Sequence, residues 1–344
     1  MAIVAAIIAL LVLDVRLGAQ PANRASLDGR QLYEAACAAC HGSDGRGTPL
    51  PVRGFDVEPP DFTDCSLTTP EADVDWYSVI HQGGPARGFD RMMPAFGDEL
   101  SDDEIAKIIA YIRGFCTERG WPHGDLNLPR ALVTEKAYPE NEAVVTMTSS
   151  RNDTRTLRNE FLYEHRVGRR GQYEIFVEDV DAIGGAYKHV LFDNRRRGSI
   201  FAGGGELRFN SSGVTFEAFG AFSQALPYVA DGFLHAQAGV EMPTDTNAPN
   251  ELFWRAAAGK SLMIRGWGRA WSPMVELLAA REMETQAEVE WDVLPQLQVS
   301  LSTRQHVLVN AGVRVPLTQQ STRRTSVVVY LLWDWFDGGF FSGW

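Results

Sequence analysis

The 344-residue sequence has no apolar run long enough to cross a bilayer as a helix. The longest, Ala2–Leu13, holds twelve residues, well short of the ~20 a spanning helix needs. Positive charge is not in surplus either: 32 Lys and Arg face 44 Asp and Glu, a net charge of −12. That balance excludes a nucleic-acid partner and gives no basis for adhesion to anionic lipid. Cysteines are few, four in all. Only Cys37 and Cys40 stand at metal-ligand spacing, and a structural zinc site wants a second such pair. Ala2–Leu13, followed by Leu17-Gly18-Ala19-Gln20, has the form of the apolar core and cleavage region of a signal peptide, without its usual basic start. Residues 1–20 are therefore set apart from the fold.

What is present centres on Cys37-Ala38-Ala39-Cys40-His41. Two cysteines three apart with a histidine behind them form the pattern of covalent c-type haem attachment. Each thiol adds to a haem vinyl group, and His41 is presented to the iron, its second ring nitrogen needing an acceptor. Gly42, Gly45 and Gly47 let the backbone turn close to the macrocycle, and the Pro49 carbonyl is placed to accept from the His41 ring. Methionine is the sixth ligand that raises the potential for electron transfer. Met93, in Arg91-Met92-Met93-Pro94-Ala95-Phe96-Gly97, offers it, with neighbouring Met92 and His81 as alternatives. Phe62 and Trp76 are expected to pack on the haem. Ser101-Asp102-Asp103-Glu104 reads as a capping box, opening a helix whose stripe is Ile105, Ile108, Ile109, Ile112 and Phe115. No acid–base or nucleophile constellation accompanies these residues.

C-x-x-C-H-G-x-x-G-x-G, then M-P-A-F-G, then an acid-capped amphipathic helix resembles the class I bacterial cytochrome c domain, over roughly residues 27–116. The resemblance implies one covalent haem c, His41/Met93 ligation, a small all-α fold and attachment of the haem outside the cytoplasmic membrane. In that oxidising setting Cys65 and Cys116 are expected to form a disulfide, which by loop entropy contributes about 4 kcal/mol for a loop of about 50 residues. Residues 21–130 carry 18 acids and 10 bases; this acidic half favours cationic partners.

The stretch 117–142 is punctuated by Pro122, Pro129 and Pro139 and has no period, so it reads as a linker. Beyond it the period becomes 2. Phe161, Tyr163, His165 and Val167 alternate with Glu160, Leu162, Glu164 and Arg166, and Tyr173, Ile175 and Val177 with glutamates and glutamine. Leu234–Met242, Ala287–Trp291, Leu297–Leu301, Val307–Val315 and Val327–Trp335 do likewise. Short strands with one apolar and one polar face, divided by turn residues, are the pattern of a transmembrane β-barrel. Seven of nine tryptophans follow residue 250, as membrane interfaces favour, and the chain ends in aromatic residues, as in outer-membrane barrels. His165, His189, His235 and His306 have no ligand-like spacing.

The expected architecture is two domains: an all-α class I cytochrome c (21–116) and, after the linker, an antiparallel transmembrane β-barrel of about ten to twelve strands (143–344). The expected role is electron transfer, not enzymatic catalysis, at or across the bacterial outer membrane. The haem domain would lie on the periplasmic side, and the partners would be a redox protein and membrane lipid. The architecture resembles cytochrome–porin fusions. Two other readings stay open: a solute porin with a cytochrome appendage, and a soluble periplasmic carrier with a β accessory domain, since soluble sandwiches alternate too.

Overall fold

Asp28 and Ser101 start the two helices that frame the N-terminal body in this computed structural model, which describes residues 27–151, 155–179, 181–226, 231–245, 247–263 and 270–335. The expected signal segment, 1–20, lies outside the described residues, as do Phe340, Phe341 and Trp344. Asp28 accepts from the Gln31 amide at 2.9 Å while Gln31 reaches back to the Asp28 amide, a reciprocal cap on α1 (Gly29–Ala36). Ser101 and Glu104 do the same for α6 (Asp102–Arg113). Between them lie the short α2 (Ala38–His41), α3 (Leu50–Arg53) and α4 (Cys65–Thr68), and the ten-residue α5 (Asp73–Gln82).

α1 and α6 cross closely. A Cβ on Gly29 would stand 2.2 Å from the Lys107 carbonyl oxygen, so only glycine admits this approach. Leu32 and Tyr33 meet Ile105, Ile108, Ile109 and Ile112 there, all buried; each such side chain contributes about 1.5–3 kcal/mol of transfer free energy. The disulfide between Cys65 and Cys116 is formed, tying α4 to the chain just beyond α6.

The second body is a closed antiparallel barrel. Its long strands are β1 (Glu142–Arg151), β2 (Arg155–Val167), β3 (Gly171–Glu178), β4 (Ala182–Asn194), β5 (Ser199–Asn210), β6 (Gly213–Leu226), β7 (Gly232–Pro243), β8 (Glu251–Lys260), β10 (Ala270–Glu282), β11 (Glu290–Ser300), β12 (Val307–Pro316) and β13 (Ser326–Asp334). β9 (Leu262–Met263) is a two-residue extension beside β10. Each long strand pairs with its neighbours, and β13 returns to β1 in the register Glu142↔Asp334, so twelve strands close the ring without a free edge. The alternation read over Ala287–Trp291 is not a strand of its own. Residues 283–289 form the β10–β11 turn, and Trp291 lies on β11, whose alternation continues to Ser300.

The pleat sorts the side chains. Val145, Met147, Phe161, Ile175, Leu207, Val275, Leu277 and Leu331 stand exposed on the outer wall. Glu164, Gln172, Lys188, His235, Gln237, Glu276, Gln296 and Asn310 are buried on the inner one. No helix among the described residues is long and apolar enough to cross a membrane.

The stretch expected to be a linker is mostly inside the barrel. After a 3-10 turn at Gly124–Leu126, residues 126–141 dip into the lumen and return to begin β1. Glu276 accepts the amides of Leu132 (2.9 Å), Val133 (3.1 Å) and Thr134 (2.6 Å) and the Thr134 hydroxyl. Arg130 pairs with Glu142 and Glu164, and Lys188 with Glu135. Ser223 accepts from the Ala137 amide, and the Pro129 carbonyl contacts the His235 ring at 2.9 Å. The plug lies toward the end at which β1 begins. Toward the other end, acids face one another in register, Glu206↔Glu217↔Glu241↔Glu251, with Arg208 bridging Glu206 and Glu178.

Two predictions follow from this packing. Gly29→Ala should destabilise the N-terminal body by about 1–3 kcal/mol, read as an earlier thermal loss of haem absorbance. Glu276→Ala strands three plug amides and should lower barrel stability by about 3–5 kcal/mol. The compact gel band should then be lost at lower temperature, with faster amide exchange confined to 130–140.

Candidate haem-binding site

The α1–α2 junction sets the site. α1 stops at Cys37, whose φ of −117° breaks the helix for one residue before α2 carries Cys40 and His41 onward. Gly42 (φ 72°), Gly45 (φ 77°) and Gly47 (φ 81°) then fold the chain back. The Gly47 amide reaches the His41 carbonyl at 2.9 Å, and the Tyr33 hydroxyl donates to the Gly42 carbonyl at 2.7 Å. Cys37 and Cys40 are free thiols, the first buried. Burial, with Cys40 beside it, pushes the Cys37 thiol up to about 11; burial pulls the His41 imidazole down to about 4, so it is neutral near pH 7.

His41 stacks on Phe62 at 4.9 Å, and Phe62 in turn lies 5.4 Å from Trp76. The Arg113 guanidinium sits 4.2 Å from the Trp76 ring centre, covering its outer face. Met93 and Trp76 pack at the border of the same apolar cluster as Cys37, Phe62 and Ile80. The adjacent methionines part: Met92 is 45% exposed while Met93 turns inward. His81 stacks on Tyr77 at 5.3 Å beneath Gly97. The bond expected from the His41 ring to Pro49 is not made. The Pro49 carbonyl accepts from Val52 (2.9 Å) and Arg53 (3.1 Å), and buried His41 Nδ1 has no hydrogen-bond partner among the described residues.

Two acid clusters elsewhere invite a metal reading: Asp73, His123 and Asp125, and Glu135, Glu164 and Glu174. Arginine or lysine already pairs with members of both. Arg113 and Arg195 hold Asp73, and Arg195 holds Asp125; Arg130 and Lys188 pair with the second group. Burial draws the His123 imidazole down to about 4. His165, His189, His235 and His306 enter neither cluster. Sequence reasoning gave no site role to Tyr33, which holds the Gly42 carbonyl from α1, or to Arg113, which reaches Trp76 from the far end of α6.

Residues 24–112 match the family model for the cbb3-type cytochrome c oxidase subunit III. A cytochrome c6 from Picosynechococcus sp. is 32% identical over 98 residues, 27% of this chain and 75% of that protein. The chain belongs to the cytochrome c family. The match extends over the N-terminal body and implies a haem c there. The porin NanC shares 8% identity, with a TM-score of 0.45, over 56% of this chain and all of its own. The reducing HAO-like complex of Kuenenia stuttgartiensis shares 28% identity over 30% of this chain and 50% of that one, with a TM-score of 0.23.

The residues present fit a haem. The Cys37 thiol and the Met93 thioether belong to one apolar cluster, His41 stacks on its Phe62 with a buried nitrogen unpartnered, and Cys40 is a second free thiol one turn from Cys37. Met93→Ala should abolish the sulfur-to-iron charge-transfer absorption and lower the midpoint potential. Met92→Ala should leave both unchanged. Absorption spectra and a redox titration of the two variants check this.

Proposed function

We propose that this protein is an electron carrier of the bacterial outer membrane. Cys37 and Cys40 hold its single haem covalently, and His41 and Met93 provide the axial ligands. The observation that carries the reading is the N-terminal body docked on the mouth of a closed barrel with an apolar outer wall. Arg195, on the β4–β5 turn, pairs with Asp73 and Asp125 (the latter at 2.9 Å). Arg169 and Arg170, on the β2–β3 turn, donate to the Arg119 (2.6 Å) and Gly120 (3.0 Å) carbonyls. An outer wall bearing Val, Ile, Leu and Phe is costly in water and suited to hydrocarbon.

The bound group supplies one-electron cycling of its iron. The chain supplies the setting: Phe62, Trp76 and Ile80 exclude water, and the buried Cys37 fixes one edge. The acidic surface of this body suits a cationic redox partner.

An even strand number puts both ends of the barrel chain, Glu142 and Asp334, on the side where the N-terminal body sits. A folded body of this size cannot pass a lumen of twelve strands, so it stays on the periplasmic side from which such barrels insert. One haem there cannot bridge a ~25 Å apolar band, and this supports electron exchange at the mouth. The plug argues against the solute-porin alternative because chain occupies the lumen where solute would pass.

Fractionation of a haem-stained culture tests the reading. Haem in the outer-membrane fraction, on a band whose mobility shifts on boiling, is the expected result. Haem in the soluble periplasm without such a shift overturns it in favour of a diffusible carrier.

A further inference from the structure

The loop that carries Met93 is backed by the barrel. Gly83 (φ 84°) turns the chain out of α5, and a 3-10 turn follows at Gly84–Arg87. The loop closes on itself through three backbone bonds: Gly84 amide to Met93 carbonyl (2.9 Å), Phe89 amide to Gly84 carbonyl (2.9 Å) and Met93 amide to Asp90 carbonyl (3.2 Å). A Cβ on Gly84 would lie 2.3 Å from the Asp90 carbonyl oxygen and 3.2 Å from both Met93 Cβ and Phe89 Cβ. Phe89, Gly84 and Met93 are thus one packed unit, and a shift of Phe89 is felt at Met93.

The outer side of that unit meets one residue of the β11–β12 turn (301–306). The Arg304 guanidinium lies 4.2 Å from the centre of the Phe89 ring, and its Nη2 donates to the Gly88 carbonyl at 3.4 Å. In return Arg87 donates from Nη2 to the Arg304 carbonyl at 3.5 Å. Arg87 is itself buried and ion-paired with Asp75 of α5 at 3.1 Å. Three links therefore join a single barrel residue to the strip Arg87–Phe89.

We propose that Arg304 is a positioning residue for the sixth haem ligand: by clamping Phe89 and Gly88, the barrel rim holds the Met93 loop closed and tunes the potential of the haem. This rests on Met93 being the ligand. The thioether is a neutral, weakly held ligand, so its occupancy depends on how strongly the loop returns it to the iron. Loosening the clamp shifts the loop toward open states, in which an added ligand takes the vacated position.

The test uses the full-length haem protein in detergent. Wild type, Arg304→Ala, Arg304→Lys and, as a rim control without a contact to the loop, Arg196→Ala are compared by heat-modifiability, charge-transfer absorption, midpoint potential and imidazole affinity. Arg304→Ala should keep the compact barrel band, lower the potential and bind imidazole roughly three- to tenfold more tightly, as loss of a cation–π contact implies. Arg304→Lys should recover part of the shift, and Arg196→Ala should show none. An intact sulfur-to-iron band in wild type, with unchanged potential and imidazole affinity in Arg304→Ala, overturns the clamp alone. A wild type without that band overturns the ligation and the clamp with it. Should Arg304→Ala fail to assemble, Phe89→Ala removes the same contact from the other side and must give the same shift.

Discussion

Glu276 is fully buried on the inner wall of a barrel, with a carboxylate that must be satisfied from within or cost several kcal/mol. Three successive backbone amides, a threonine hydroxyl and the Gln296 amide satisfy it. The same constraint acts along the upper wall, on Glu164, Lys188, Gln237 and Ser223, each met by a group of the plug or its neighbours. The outer wall needs no such partners, since apolar side chains cover it. A ring of twelve strands is too wide to be filled by its own side chains and too narrow for a folded body. One return pass of chain fits between those limits.

Much of this was legible from residue types and spacing, because local physics writes it locally. The C-x-x-C-H run, the Ser101–Glu104 cap and the isoleucine stripe of α6 depend on neighbours within a few positions, as does the two-residue alternation of β2, β3, β7 and β13. Cys65 and Cys116 pair across 51 positions, yet the pairing was open to inference once the other two thiols were assigned to haem. The plug was not legible. It binds largely through main-chain groups, which carry no residue-type signature, and its partners lie up to 200 positions away. Segment 126–141 therefore shows no period and reads as a spacer. The β10–β11 turn misled in the opposite way: Ala287 and Val289 mimic strand alternation while serving as connection. At the haem site the residue types were readable, but the Pro49 carbonyl is already taken by the amides of α3.

The two bodies share one electrostatic seam. Arginines on three turns of the rim, Arg170, Arg195 and Arg304, reach carboxylates, carbonyls or a ring of the acidic N-terminal body. The complementarity lies within one chain, so its ordering cost is already met by the covalent link. Toward the opposite opening, glutamates stand side by side with Arg208 among them, and the two ends of the lumen present different faces to whatever surrounds them.

The plug precedes β1 in the chain, while the ring closes by pairing β1 with β13. The strand that seals the ring is thus the one the plug leads into. The plug enters and leaves by the same mouth, so it is a stopper tied at both ends of its string: at one end by β1, at the other by a folded, disulfide-bonded body. Cutting that body away is consequently no trimming of a tail. It frees one end of the string that holds the stopper in place.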